Sequence, residues 1–316
     1  MELKVGNLIA KSGEKIQDYL EIMNTDLRVP CTLINGASDG KTVAITAGTH
    51  GGEYPGIEAA IQLAKELTPE AVKGQLIILH PYNLPAFEAK LQYLNPYDGK
   101  NLNREFPGIA KGTMTQRMAY TLTQEVHSQA DFYMDLHGGD IHEDLVPFVI
   151  YPKVGTDEVT RVSREAAALL GVPYVCGSQS TNGTFGSAAL NGVPGFLSEI
   201  GGRGLWTEQE VSDYIRGVKN VLSYLRVLND SPRQLCKVDY IEKMNGLDAT
   251  ESGCWYPAVK PGQKIAKGQK LGEIRDFFGK ILAEYNAPSD GTMLYVVSSL
   301  AINTGDPIVA WGEYKA

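Results

Sequence analysis

The 316-residue sequence holds four cysteines, Cys31, Cys176, Cys236 and Cys254, and no CxxC pair. Thiols so widely spaced build neither a disulfide framework nor a cysteine zinc site, and a reducing compartment is the simpler expectation. Long hydrophobic runs are missing too: no apolar stretch approaches the roughly 20 residues that a membrane-spanning helix needs. The opening MELKVGNLIAKSGEKIQDYL has no apolar signal core. We therefore expect a cytoplasmic protein without a membrane partner. Positive charge is in deficit, with 29 Lys and Arg against 37 Asp and Glu, a formal net charge of -8. That balance argues against nucleic acid as the main partner. Neither GxGxxG nor a GxxxxGK phosphate loop occurs, so nucleotide binding has no support.

What is present is an ordinary globular composition, 43% hydrophobic and 21% charged, long enough for one large domain and a small one. Between about residues 41 and 228, short apolar runs alternate with longer amphipathic ones. TVAIT, QLIILH, DFYMDL, PFVIY and PGFLSE read as strands buried on both faces. Helical stretches are expected at 57–67, 115–127, 158–170 and 207–228. Such alternation predicts an α/β fold with a mostly parallel or mixed sheet flanked by helices. After Ser231-Pro232 the pattern changes to short strands with glycine turns and no helix, as in KPGQKIAKGQKLGEI and NTGDPIVAW. We expect a catalytic domain over 1–232 and a small all-β, barrel- or sandwich-like domain over 233–316. The first 30 or so residues could pair with either.

In open α/β sheets, sites form beyond the C-terminal ends of the strands, and four motifs lie there or near it. In TVAITAGTHGGEYPG a strand ends near Ala47, and His50 and Glu53 follow in a glycine-rich turn before a helix. Gly48, Gly51 and Gly52 allow a turn tight enough for both side chains to face one point. In DFYMDLHGGD, His137 closes a strand in the same way, with Asp135 on its face as an orienting partner. Two imidazoles and a carboxylate with an open fourth position match a catalytic zinc site. In GVPGFLSEIGG, Glu199 ends a further strand and is placed to activate a bound water. In DGKNLNREFPG, the Arg104 fork can hold a carboxylate or polarise a carbonyl.

Taken in chain order, GTHGGEYPG, NLNREFPG, DLHGG and SEIGG resemble the succinylglutamate desuccinylase/aspartoacylase family, which belongs with the zinc carboxypeptidases. The resemblance runs from about residue 41 to the end. It implies a carboxypeptidase-like α/β domain holding one zinc ion on His50, Glu53 and His137. It also implies Glu199 as base toward water and then acid toward the leaving amine, with Asn103 and Arg104 gripping a substrate carboxylate. The expected activity is deacylation of an N-acylated amino acid or similar small amide. The chain departs from the family in two places. The arginine usually found before NLNR is missing, and between Phe87 and Asn103 the cations are Lys90 and Lys100. A lysine, Gln92 or the zinc itself is then left to polarise the carbonyl. An arginine about ten residues before the catalytic glutamate, carried by members acting on acyl-aspartate, is replaced by Ala189. A substrate other than N-acetylaspartate is implied.

Two other functions compete. A carboxypeptidase would use Arg104 on the terminal carboxylate of a short peptide. A non-catalytic binding or carrier protein would use the C-terminal hairpins, which resemble those of biotinyl and lipoyl domains, with Lys280 near the modified position. His142, Glu143 and Asp144 could form a second metal site or simply a solvated loop. His80 and His127 end a strand and a helix and are not expected as ligands.

Overall fold

The computed structural model, which describes residues 2–314, sets the five apolar runs side by side as the middle of a nine-stranded sheet. Across that middle the order is Phe148–Pro152, Gly195–Glu199, Phe132–His137, Ser38–Ala47 and Lys73–Leu79. The last four of these strands run parallel, while Phe148–Pro152 is antiparallel to its neighbour Gly195–Glu199. The sheet is therefore mixed, as expected, and all six residues of Phe132–His137 are buried at its centre.

Side-chain alternation assigns the two faces. Phe132, Met134 and Leu136 join one core with Ile45, Phe196 and the helices Tyr54–Glu66 and Glu208–Tyr224. Tyr133 points the other way, into a second core with Ala44, Leu197, Met118 and Phe185. By the same alternation, Asp135 and His137 belong to this second face. The ambiguous opening segment also packs here. Its hairpin Leu3–Val5/Leu8–Ala10 buries Leu3, Val5 and Leu8 in the second core, and Glu14–Glu21 and Arg28–Asn35 extend the large sheet.

The expected helix at 115–127 is broken. Its α-helical part, Met114–Thr121, gives way to a π-turn at Leu122–Val126 and a 3-10 turn at His127–Gln129. Thr121 and Thr123 hydroxyls bond back to the carbonyls of Arg117 and Ala119, competing with a regular ladder at the break. Two helices that the sequence pattern did not reveal, Leu84–Ala89 and Thr184–Leu190, are too short to show a helical period.

Past residue 238 the chain first adds the strand Asp239–Ile241, parallel to Tyr174–Cys176, at the edge of the large sheet. It then forms two antiparallel sheets around Trp255, Ile274, Met293, Ile308 and Trp311, with no helix among the described residues. One of these sheets borrows a strand from the preceding α/β region: Glu143–Leu145 pairs with Gly291–Val297. Among the described residues no helix is long and apolar enough to cross a membrane.

Candidate active site

Three parallel neighbours end at one edge of the sheet. Ala47 is in register with Leu136, and His137 with Glu199. Residues paired across parallel strands share a face, so His137 and Glu199 emerge together while the His50 loop leaves from the adjoining strand. That loop is held tightly. Gly48 has φ +71°, and a Cβ on Gly51 would stand 2.3 Å from the carbonyl carbon of Ala86. Asn83 caps the helix beginning at Leu84 and donates its amide to the Thr49 carbonyl at 3.1 Å. The loop therefore turns back over this short helix and presents His50 and Glu53 to the strand ends.

The expected trio comes together. His50, Glu53 and His137 are all buried, with ligating atoms within 4.8 Å of one another, and no other such group occurs among the described residues. His50 Nδ1 is 2.7 Å from Glu53 Oε1, and His137 Nδ1 is 2.9 Å from Glu53 Oε2. The second contact lacks hydrogen-bond geometry, so Glu53 Oε2 is a buried oxygen with no donor. The outer nitrogens are anchored: His137 Nε2 lies 2.8 Å from Asp135 Oδ2, and His50 Nε2 lies 3.0 Å from Asn101 Oδ1. Both acceptors favour the tautomer protonated at Nε2, which frees each Nδ1 lone pair for a cation. Asp135 is in turn fixed by the Thr46, Thr49 and Thr184 hydroxyls. These three residues could hold a metal ion, and the donor set is the kind that zinc takes.

Electrostatics agree with a site built around positive charge. Burial works to raise Glu53, but His137 and His50 outweigh it and hold its carboxyl below the ordinary range. Burial likewise opposes charge on His137, yet Asp135 and Glu53 raise its pKa well above normal. Glu199 goes the other way. Burial, reinforced by the charge of Glu53, pushes its pKa well above that of an ordinary carboxyl, and its Oε2 is buried without a partner.

A cavity of about 600 Å3 opens onto these groups. Asn101, Asn103 and Arg104 line one part, and Asn103 accepts from the Thr184 backbone N–H at 2.9 Å, leaving its NH2 end for a ligand. Leu145, Phe148, Ile150, Phe185 and Leu197 supply apolar wall, and the C-terminal unit contributes Met244, Tyr295, Pro307 and Ala310. Sequence reasoning missed Tyr93 and Asn101, which sit in segments without periodic pattern, and Tyr295, which lies on an expected short strand, Gly291–Val297, that local pattern does not connect to the cavity. Neither lysine offered for the carbonyl lines the cavity. Lys100 pairs with Glu105 at 3.1 Å, and Lys90 borders a separate surface hollow with Phe87 and Trp206. Gln92 does not line it either, and Arg104 is the sole lysine or arginine among the described lining residues. Ala189 is fully buried in the Thr184–Leu190 helix. Of the acidic loop, His142 is exposed, Asp144 lies 3.8 Å from Arg203, and Glu143 turns into the cavity. His80 bonds Thr32 at 3.0 Å, and His127 is buried between Phe106 and Tyr133.

The succinylglutamate desuccinylase/aspartoacylase catalytic-domain model matches residues 39–225, more than half of the chain. The chain belongs to this family. All four motifs that carried the resemblance fall inside the matched stretch. Over 296 residues the chain is 29% identical to the N-alpha-acetyl-L-2,4-diaminobutyric acid deacetylase of Halomonas elongata, covering 90% of this chain and 85% of that one. Among solved structures, the product-bound ectoine utilization protein EutE of Ruegeria pomeroyi superposes with a TM-score of 0.85 at 26% identity, covering 94% and 95% of the two chains. A family member from Rhodobacter sphaeroides shares the fold with a TM-score of 0.86 at 24% identity, covering 96% of each chain. The desuccinylase fold therefore includes the C-terminal β unit as well as the matched catalytic part.

Proposed function

We propose that the protein is a zinc-dependent deacylase, which cleaves the amide bond of a small N-acylated amino acid. The observation that carries this reading is the pairing of a convergent His-Glu-His set with Glu199, a buried carboxyl whose free oxygen shares the cavity. Family membership and the Halomonas elongata deacetylase support the same reaction class. Zinc, when bound, supplies an acidified water, with a pKa near 7, and a Lewis acid for the scissile carbonyl. His50, Glu53 and His137 would be its ligands. Glu199 takes the proton from the attacking water and returns it to the amine nitrogen as the C–N bond breaks; burial, with the charge of Glu53, raises its pKa and so makes it a stronger base than an exposed carboxylate. Arg104, with the NH2 of Asn103, receives the substrate carboxylate.

The cavity charges narrow the acyl group. With one arginine among the described lining residues, one substrate carboxylate can be matched, so an uncharged acyl group is favoured over succinyl. The wall formed by Met244, Tyr295, Pro307 and Ala310 disfavours long peptides, which would have to pass through it, so the carboxypeptidase alternative is confined to short ones. On this proposal the catalytic unit spans 1–232, and the β unit over 233–316, which lends its first strand Asp239–Ile241 to the large sheet, closes the cavity. The four cysteines are all free, which fits a cytoplasmic site of action.

The test is metal content together with substrate preference. Purified wild-type protein should hold one zinc per chain and hydrolyse N-acetyl amino acids faster than dipeptides. The His50→Ala/His137→Ala variant should lose zinc and activity while keeping its circular dichroism spectrum. Full zinc occupancy in that variant, or a preference for peptides, would overturn the reading.

A further inference from the structure

Metal binding, proton transfer and carboxylate recognition leave one ionisable group in the cavity without a task. Glu143 lines it on the strand Glu143–Leu145, which is fixed by pairing with Val297, Val296 and Tyr295 of the C-terminal sheet. Its two oxygens are oriented from the protein side. Oε1 accepts from the Tyr93 hydroxyl and Oε2 from the Asp140 N–H at 3.1 Å. No lysine or arginine among the described residues forms an ion pair with it; the available arginine, Arg203, goes to Asp144 instead.

A carboxylate held this way faces an unfavourable field, since Glu53 and Glu199 line the same cavity and Asp140 stands beside it. Glu143 is half-buried, and a carboxylate partly withdrawn from water gains from a cationic partner. No lysine or arginine among the described residues pairs with it, so a cationic partner would come from the contents of the cavity. Zinc is matched by Glu53, and Arg104 is matched by the substrate carboxylate. What remains is one negative site facing the ligand, built on a strand and oriented by two hydrogen bonds. Tyr93 and Tyr295 line the cavity close to it, and Tyr295 is in register with Leu145, two residues along the same strand face. Aromatic rings and hydroxyls beside a carboxylate make a suitable seat for an ammonium group, which presents three donors and a compact positive charge.

We propose that Glu143, with Tyr93 and Tyr295, is the specificity subsite for a cationic group on the amine portion of the substrate. The preferred substrates are then N-acylated diamino acids, with the carboxylate on Arg104 and the free ammonium on Glu143. This rests on the deacylase reading, and two measurements separate its failure from the failure of that reading.

The first compares Nα-acetyl-2,4-diaminobutyrate with Nα-acetylnorvaline, which replaces the ammonium by a methyl group of similar size. Wild type should favour the cationic substrate at least tenfold in kcat/KM, and Glu143→Gln should collapse that ratio toward one. An unchanged ratio, even with both rates lowered, would overturn the proposal and leave Glu143 a structural or catalytic residue. The second needs no turnover: calorimetric binding of 2,4-diaminobutyrate and of norvaline to the zinc-loaded wild-type protein. Tighter binding of the diamino acid by at least tenfold supports the subsite even if neither amide is cleaved. Equal binding overturns it.

Discussion

Glu199 is the residue on which chemistry and metal binding can be told apart. Glu199→Gln keeps size and shape but removes the base, and a positioned proton-transfer group is worth roughly 10²–10⁴-fold. The variant should retain one zinc per chain and near-normal substrate affinity while kcat falls at least about a hundredfold. Near-normal turnover in a zinc assay-matched preparation would show that another group is the base. Arg104→Ala should instead raise KM while kcat changes little, because its partner carboxylate is present in the ground state as well as the transition state. A fall in kcat at unchanged KM would move Arg104 to the carbonyl. At this scale, the sequence disclosed residues that sit directly after a buried apolar run. His50, His137 and Glu199 each follow such a run, and Asp135 was found through strand alternation. Tyr93, Asn101 and Tyr295 had no such marker. Lys90 and Lys100 were wrongly kept in contention because sequence spacing does not show that one turns to a different hollow and the other to Glu105.

Among the elements, the His50 loop depends on a close approach that admits no side chain. A Cβ on Gly51 would meet the Ala86–Phe87 backbone at 2.3 Å, so the loop or the Leu84–Ala89 helix must move. Gly51→Ala should cost about 1–3 kcal/mol of stability, as overpacking does. It should also weaken zinc binding by ten- to a hundredfold, roughly the effect of disturbing a ligand's support. Thermal melting and a competitive zinc titration would check this, and unaltered zinc affinity would show that the loop is looser than its packing implies. The central strands were legible because burial on both faces makes them uniformly apolar. Glu14–Glu21 was not, since it is an edge strand that is mostly exposed or half-buried and carries no two-residue alternation.

For the whole molecule, the telling feature is that the C-terminal unit forms part of the cavity wall. Met244 is the flexible member of that wall and borders its apolar portion. Met244→Ala should shift preference from acetyl toward butanoyl amides by at least about tenfold in the kcat/KM ratio, since a methylene in an apolar pocket is worth about 1–3 kcal/mol. An unchanged ratio would place the acyl group elsewhere in the cavity. This closure could not be read from local pattern. The sequence shows a change to short strands after residue 232, but not that residues 143–145 and 295–297 pair across some 150 positions of chain.

That long-range pairing also orders events during synthesis. Glu143–Leu145 leaves the ribosome long before its mate, and at about 5–20 residues per second the intervening chain takes on the order of ten seconds to appear. Throughout that interval the strand is an open edge, the kind of backbone that invites pairing with another nascent chain. Two of its three residues are acidic, Glu143 and Asp144, and their charges discourage such pairing until the proper partner arrives. The carboxylate that we assign to substrate selection would thus act earlier in the life of the molecule, as a guard against aggregation.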